Sequence, residues 1–257
     1  MEYLKKFSDY NEQILFRDRF NLIEIDEYVE EKYYNKLREN YPPENLFSVH
    51  NDFAMSLSDE DPNFSKFINN NEIWHQFISE IQSKTYVDDL ISFFRINKVC
   101  YKSKWKKFFS LKKEAKLSFR FNISKSGGFS LPHTDSSRKL VSLVLFFVDD
   151  EWNIDNGGQV NIYKPKNLEN ENNWRNERIS KNKLDIIKTI IPKKNKIYGF
   201  KKTSNSYHSV ESIKEANGLH RKVFMINLIY QNKFDSPYTE KSNILIKIKR
   251  KFLNGQK

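Results

Sequence analysis

Residues 116–148, KLSFRFNISKSGGFSLPHTDSSRKLVSLVLFFV, are the stretch on which the reading of this chain turns. Leu117, Phe119, Phe121 and Ile123 alternate with Ser118, Arg120, Asn122 and Ser124, the period-two pattern of a half-buried strand. Residues 140–148 are almost wholly apolar, as a strand covered on both faces requires. Between the two runs lies a polar knot, His133-Thr134-Asp135. A histidine and a carboxylate two residues apart, where a strand gives way to a turn, can converge on one point. That arrangement suits a metal ion.

Downstream the pattern stays one of short strands and turns. Residues 149–158, DDEWNIDNGG, read as a loop, and residues 159–163 as an alternating strand. Residues 167–185 are a polar excursion, either a surface loop or a mobile lid. Short strands follow at 186–191, 196–200 and 206–210, a hairpin-like Asn217-Gly218, and a long apolar strand at 221–230, RKVFMINLIY. About eight strands joined by Gly/Asn turns predict a sandwich or jelly roll rather than alternating βα units.

Upstream, residues 1–114 read as mixed and mainly helical support. A strand is expected at 20–25, and Asp26 is an N-cap for a helix over 27–40, stopped at Tyr41-Pro42-Pro43. Residues 45–71 read as loop. Ile73, Phe77 and Ile81 follow a helical stripe with Trp74 beside it, continued through Leu90, Phe93 and Phe94; a packing surface against a sheet is the expected role. Ile244, Ile248 and Phe252 fall on one face of a basic C-terminal helix. The expected organisation is a single domain over 1–257: helical support to 114, a β core over 115–232, and a basic tail over 233–257.

The net charge is +11, but the basic residues are dispersed rather than striped, so nucleic acid is not the expected partner. Twenty-one Phe and 13 Tyr supply apolar area that excludes a fully disordered chain. The single cysteine, Cys100, excludes an intramolecular disulfide framework and reads as a buried structural thiol. The N-terminal MEYLKKFSDYNEQ has no apolar leader, and no apolar run is long enough to cross a bilayer. A cytoplasmic protein with no membrane span is expected.

Five histidines are available: His50, His75, His133, His208 and His220. The His-x-Asp tripeptide is short enough to arise by chance, and context gives it weight. His133 and Asp135 lie between two strands, His208 in a later strand of the same expected sheet, and Arg221 opens the last long strand. Two imidazoles and a carboxylate make the facial triad of non-haem Fe(II), with positions open for a co-substrate and O2. Zinc or manganese would fit the same ligands, and the plainer alternative is a turn-capping His133 with His208 as an ordinary strand histidine.

Taken together, residues 116–230 resemble the Fe(II)/2-oxoglutarate-dependent dioxygenases, in particular the prolyl 4-hydroxylase-like branch. The matching pieces are SFRFNI, GGFSLPHTD, LVSLVLFFV, GGQVNIY, KIYGF leading to YHSV, and RKVFMINLIY. The segment FNLIEIDEYVEEKYYNKLRENYPP resembles the lead-in of these enzymes. The resemblance implies a mainly β (α+β) fold: a double-stranded β-helix, a cupin-like jelly roll, flanked by N-terminal helices. It implies His133, Asp135 and His208 as iron ligands and Arg221 as the anchor of the distal carboxylate of 2-oxoglutarate, with Lys222 as the alternative one register step away. Arg120 and Asn122 are assigned to the co-substrate or substrate pocket.

The implied cofactors are Fe(II), 2-oxoglutarate and O2, with ascorbate as a stimulant, and the implied co-products are succinate and CO2. Relatives that halogenate replace the carboxylate by a small residue; Asp135 is intact, which favours hydroxylation or desaturation. The expected partner is a small-molecule or peptidyl substrate. A nucleic-acid base oxygenase and a non-catalytic metal-binding jelly roll are the alternatives, and oligomeric state is left open.

Overall fold

The alternation in residues 117–123 becomes a long strand with two unlike faces, and the rest of the chain is arranged around that difference. The computed structural model describes residues 3–16, 20–96, 99–101, 113–167, 178–214 and 218–231. In chain order the regular elements are β1 (Leu22–Ile25), α1 (Glu31–Glu39), β2 (Ser48–Asn51), β3 (Ala54–Ser58), α2 (Pro62–Asn69), α3 (Glu72–Ile81), α4 (Lys84–Phe93) and β4 (Val99–Tyr101). There follow β5 (Lys113–Ser124), β6 (Ser130–His133), β7 (Lys139–Phe146), β8 (Val160–Pro165), β9 (Leu184–Ile190), β10 (Ile197–Lys201), β11 (Tyr207–Val210) and β12 (Arg221–Tyr230).

The strands form two sheets. The larger has the order β1-β10-β7-β12-β5-β3-β2, with β4 added parallel to β5, and the smaller has the order β6-β11-β8-β9. From β5 to β12 the chain changes sheet at every step except β8 to β9, which pair within the smaller sheet, in the manner of a jelly roll. One correction follows: His133 and His208 lie on neighbouring strands of the smaller sheet, whereas β5 and β7 on either side of the knot belong to the larger.

Two cores flank the larger sheet. Leu117, Phe119, Phe121 and Ile123 of β5, Leu143 and Leu145 of β7, and Phe224, Ile226 and Leu228 of β12 pack against the helices. The centre of this layer is Trp74, fully buried, with its ring 4.6 Å from Phe121 and 5.1 Å from Phe224. The aromatic stripe of α3 is therefore packing surface. On the other face, Val144 and Phe146 of β7, Val223 of β12 and Tyr198 and Phe200 of β10 meet Val160, Ile162 and Ile190 of the smaller sheet.

Local chemistry sets most helix starts. Asn71 accepts from the Trp74 amide and Ser83 from the Tyr86 amide, while Asp61 caps α2 with Pro62 at its first turn. Two expectations need correction. The first long helix begins at Glu31, not after Asp26, because Glu30 is the residue that caps it. Residues 26–30 are held out of helix by tertiary bonds: Asn195 accepts from the Val29 amide and donates to the Val29 carbonyl, and its own carbonyl takes the Tyr28 amide. Residues 45–71, expected as loop, contain the β2–β3 hairpin and α2; β3 extends the larger sheet by pairing with β5. Asn217, residues 168–177 of the polar excursion, the tail over 233–257 and the Cys100 side chain lie outside what the structure describes. Among the described residues no helix is long and apolar enough to cross a membrane.

Candidate active site

The antiparallel pairing of β6 with β11 places His133 directly opposite His208, with ring centroids 4.5 Å apart. Asp135 follows two residues on, in the turn that carries the chain to β7. One ligand atom from each of the three residues lies within 4.8 Å of the others. Both imidazoles are oriented by backbone carbonyls: His133 Nδ1 is 2.8 Å from the Leu131 oxygen and His208 Nδ1 is 3.2 Å from the Ser206 oxygen. A carbonyl only accepts, so each Nδ1 carries the proton and each Nε2 presents its lone pair. Two ring nitrogens and one carboxylate oxygen match what Fe(II) takes in a facial triad.

The electrostatics favour the ligand forms. Burial pushes the Asp135 carboxyl up, but the Lys139 ammonium, His208 and the hydrogen bonds it accepts together hold it well below the usual range. Lys139 Nζ donates to Oδ1 at 2.8 Å and Ser142 Oγ to Oδ2 at 2.6 Å. His208 is pushed down to about 4 by burial and by the neighbouring His133, so its imidazole is neutral near pH 7.

A cavity of about 280 Å³ opens beside these groups, close to the lower end of the range for small-ligand pockets. Arg120, Asn122, Tyr198 and Arg221 line it with His133, Asp135 and His208. The sequence thus named residues that the fold brings together, including the polar face of β5. Arg221 points inward and is 5% exposed, with Nε donating to the Gly158 carbonyl at 3.1 Å and its guanidinium 5.1 Å from the Phe146 ring centre. Among the described residues no carboxylate pairs with it. Burial lowers its pKa, while burial raises Tyr198, its hydrogen-bond partner, to about 12. Lys222 projects from the opposite face of β12, with Nζ 5.8 Å from the Tyr41 ring centre.

Several residues of the site escaped the sequence reading. Tyr198, Ser142 and Lys139 reach it through cross-strand register, which has no local signature. Gly158 had one, in the Gly157-Gly158 pair: its φ is +72°, and a Cβ there would lie 2.8 Å from Arg221 Cδ. Only glycine leaves the Arg221 stem its path. His50 also lines the cavity, with Nε2 2.6 Å from Ser56 Oγ, while His220 lies 3.4 Å from a Glu44 carboxylate oxygen.

Residues 119–223 match the sequence profile of the 2OG-Fe(II) oxygenase superfamily. No curated protein matches the sequence. Among solved structures, an oxidoreductase of the 2OG-Fe(II) oxygenase family from Burkholderia pseudomallei superposes with a TM-score of 0.50 at 10% identity, over 89% of this chain and 92% of that one. The protein called IDO from Bacillus thuringiensis gives 0.50 at 10% identity, over 88% and 98%. A prolyl hydroxylase from Trichoplax adhaerens, solved with a peptide of the hypoxia-inducible-factor oxygen degradation domain, gives 0.47 at 14% identity, over 82% and 84%. At these identities the likeness is one of fold, and the profile match covers residues 119–223.

Proposed function

We propose that this chain, whose residues 119–223 match the profile of the 2OG-Fe(II) oxygenase superfamily, is such an oxygenase and hydroxylates a C–H bond of a small-molecule or peptidyl substrate at a centre held by His133, Asp135 and His208. The observation that carries the reading is the convergence of those three ligand atoms within 4.8 Å beside a cavity lined by a buried Arg221 that no carboxylate among the described residues pairs. In this reading the whole chain acts as one catalytic domain.

The family's cofactors are Fe(II), 2-oxoglutarate and O2, which when bound supply the oxidant for a C–H bond, with succinate and CO2 as co-products. His133 and His208 offer Nε2, held in place by the carbonyls of Leu131 and Ser206. Asp135 offers a carboxylate kept ionised by Lys139 and Ser142, and its presence where a halogenase has a small residue favours hydroxylation. Arg221, desolvated and fixed by Gly158 and Tyr198, offers its fork to the distal carboxylate of 2-oxoglutarate. Arg120 and Asn122 on the facing strand complete the polar wall.

Succinate formation from 2-oxoglutarate, with Fe(II), ascorbate and a broad panel of candidate substrates, tests this against a His133→Ala control. Turnover well above the control is expected. Turnover equal to the control across the panel would overturn the reading.

A further inference from the structure

Arg221 and Arg120 line the same cavity from opposite sides of β12. The guanidinium of Arg221 lies against the Phe146 ring of β7 and the Tyr198 hydroxyl of β10. Arg120 stands on β5, the neighbour of β12 on the other side, and faces Met225 on β12 and Ser58 on β3. Along β5 it is four residues from Ser124, the register partner of Arg221, which is about 13 Å of strand. The cavity thus holds two separate cations, one buried and one exposed.

Arg221 is matched by the distal carboxylate of 2-oxoglutarate in the reading above. Arg120 is matched by nothing in the described chain, where it makes no hydrogen bond or ion pair. The acidic residues that follow Ser58 are committed elsewhere. Glu60 lies 3.8 Å from Arg138, and Asp59 accepts the Ser118 hydroxyl at 3.0 Å, with Lys116 as the cation that acts on it. Asp135 is the one carboxylate lining the cavity among the described residues, and Lys139 and Ser142 already take its oxygens. The other exposed titratable group on the cavity wall is His50, held at Nε2 by Ser56, and it brings no negative charge.

In water an exposed guanidinium without a partner costs little. The cost arises when a molecule seats itself beside the metal ligands and covers Arg120. A neutral molecule strips water from the cation and returns nothing, and a cationic one adds repulsion. The paired oxygens of a carboxylate or phosphate instead accept two charge-assisted hydrogen bonds from the planar fork. With the centre occupied, Asp135 and the proximal carboxylate of 2-oxoglutarate are balanced by the metal and the distal carboxylate by Arg221, which leaves Arg120 over. A cavity of about 280 Å³, shared with the co-substrate, suits a compact molecule that carries its charge close to the reacting carbon.

We infer that the substrate of this centre is a small molecule bearing an anionic oxygen group, carboxylate or phosphate, which Arg120 receives. Arg120 is then a specificity residue for the substrate, distinct in place and task from the co-substrate anchor Arg221. The inference narrows the oxygenase reading and rests on it for the word substrate; anion binding at Arg120 is measured separately.

The test is calorimetric titration of the full chain, loaded anaerobically with Fe(II) and 2-oxoglutarate so that Arg221 is occupied. The probes are short carboxylates, hydroxycarboxylates and phosphate monoesters, each beside its neutral amide or alcohol. At least one anion should bind, and its neutral counterpart should bind at least about tenfold more weakly. Whether the binders are carboxylates or phosphate esters assigns the group that the site takes. Arg120→Met should erase the preference, and Arg120→Glu should turn it toward the corresponding amines. In both variants the 2-oxoglutarate charge-transfer band should titrate as in the unaltered chain and the thermal midpoint should hold, because the side chain is exposed. Lys222→Met, on the opposite face of β12, should leave the preference intact. The inference is overturned if no anion binds, if neutral counterparts bind as well, or if the preference survives Arg120→Met. It is also overturned if Arg120→Met weakens 2-oxoglutarate itself, or if an acidic peptide or an oligonucleotide binds where none of the small anions does. Arg120-dependent anion binding without any charge-transfer band would instead remove the oxygenase reading and leave the anion site standing.

Discussion

Replacing Arg221 by methionine should move two measurements in different directions. Arg221 is 5% exposed, and its guanidinium has as partners only the Gly158 carbonyl, the Tyr198 hydroxyl and the Phe146 ring among the described residues. No carboxylate among the described residues neutralises it, so the folded chain carries a desolvated cation. Methionine keeps most of the stem and removes that penalty. The lost hydrogen bonds to Gly158 and Tyr198 are worth about 1 kcal/mol each, which the relief of desolvation offsets. Stability in urea without co-substrate should therefore be unchanged or slightly raised. Binding of 2-oxoglutarate should suffer much more, because truncating one partner of a buried charge pair costs about 2–5 kcal/mol, or roughly thirtyfold to several-thousandfold in affinity. The assays are urea denaturation and an anaerobic titration of the Fe(II) protein. A variant that loses more than about 2 kcal/mol in urea yet binds 2-oxoglutarate normally would make Arg221 a structural strut and refute the assignment. Lys222→Met is the control: it sits on the opposite face of β12, over Tyr41, and should leave co-substrate affinity unmoved.

Gly158→Ala puts a Cβ 2.8 Å from Arg221 Cδ at a φ of +72°, so a loss of about 1–3 kcal/mol in urea is expected together with weaker 2-oxoglutarate binding. Trp74→Ala empties the centre of the aromatic layer between helices and sheet and should cost about 3–5 kcal/mol by the same denaturation assay. Burial holds the Lys202 ammonium down to about 8, against an ordinary 10.5. Between those values the unfolded chain binds more protons than the folded one, so this group makes stability rise as pH climbs through that window. Lys202→Met should flatten the rise, seen as urea midpoints measured across the window.

What was legible in the sequence follows from how local each signal is. Strand β12 reads straight off residues 221–230, and β5 and β7 off their alternation and apolar run, because burial of one or both faces dictates the residue types. The β2–β3 hairpin did not read, since Ala54, Ser56 and Ser58 resemble loop residues and β3 is a strand only by pairing with β5. The start of α1 was misplaced because Asn195, far away in sequence, holds residues 28 and 29 extended. The site divides likewise. His133, Asp135, His208 and Arg221 stand at spacings that a strand-turn reading can recognise. Ser142 and Tyr198 matter through which residue faces which across a ladder, and register is a property of the assembled sheet.

The central claim is that His133, Asp135 and His208 hold Fe(II) where 2-oxoglutarate can chelate it. The most direct measurement is the visible absorption of the anaerobic protein titrated with Fe(II) and then 2-oxoglutarate, beside His133→Ala, Asp135→Ala and His208→Ala. A metal-to-ligand charge-transfer band saturating at one iron and one 2-oxoglutarate per chain, and lost in each variant, is the predicted result. Iron bound without such a band, or a band that persists undiminished in the three variants, would contradict it.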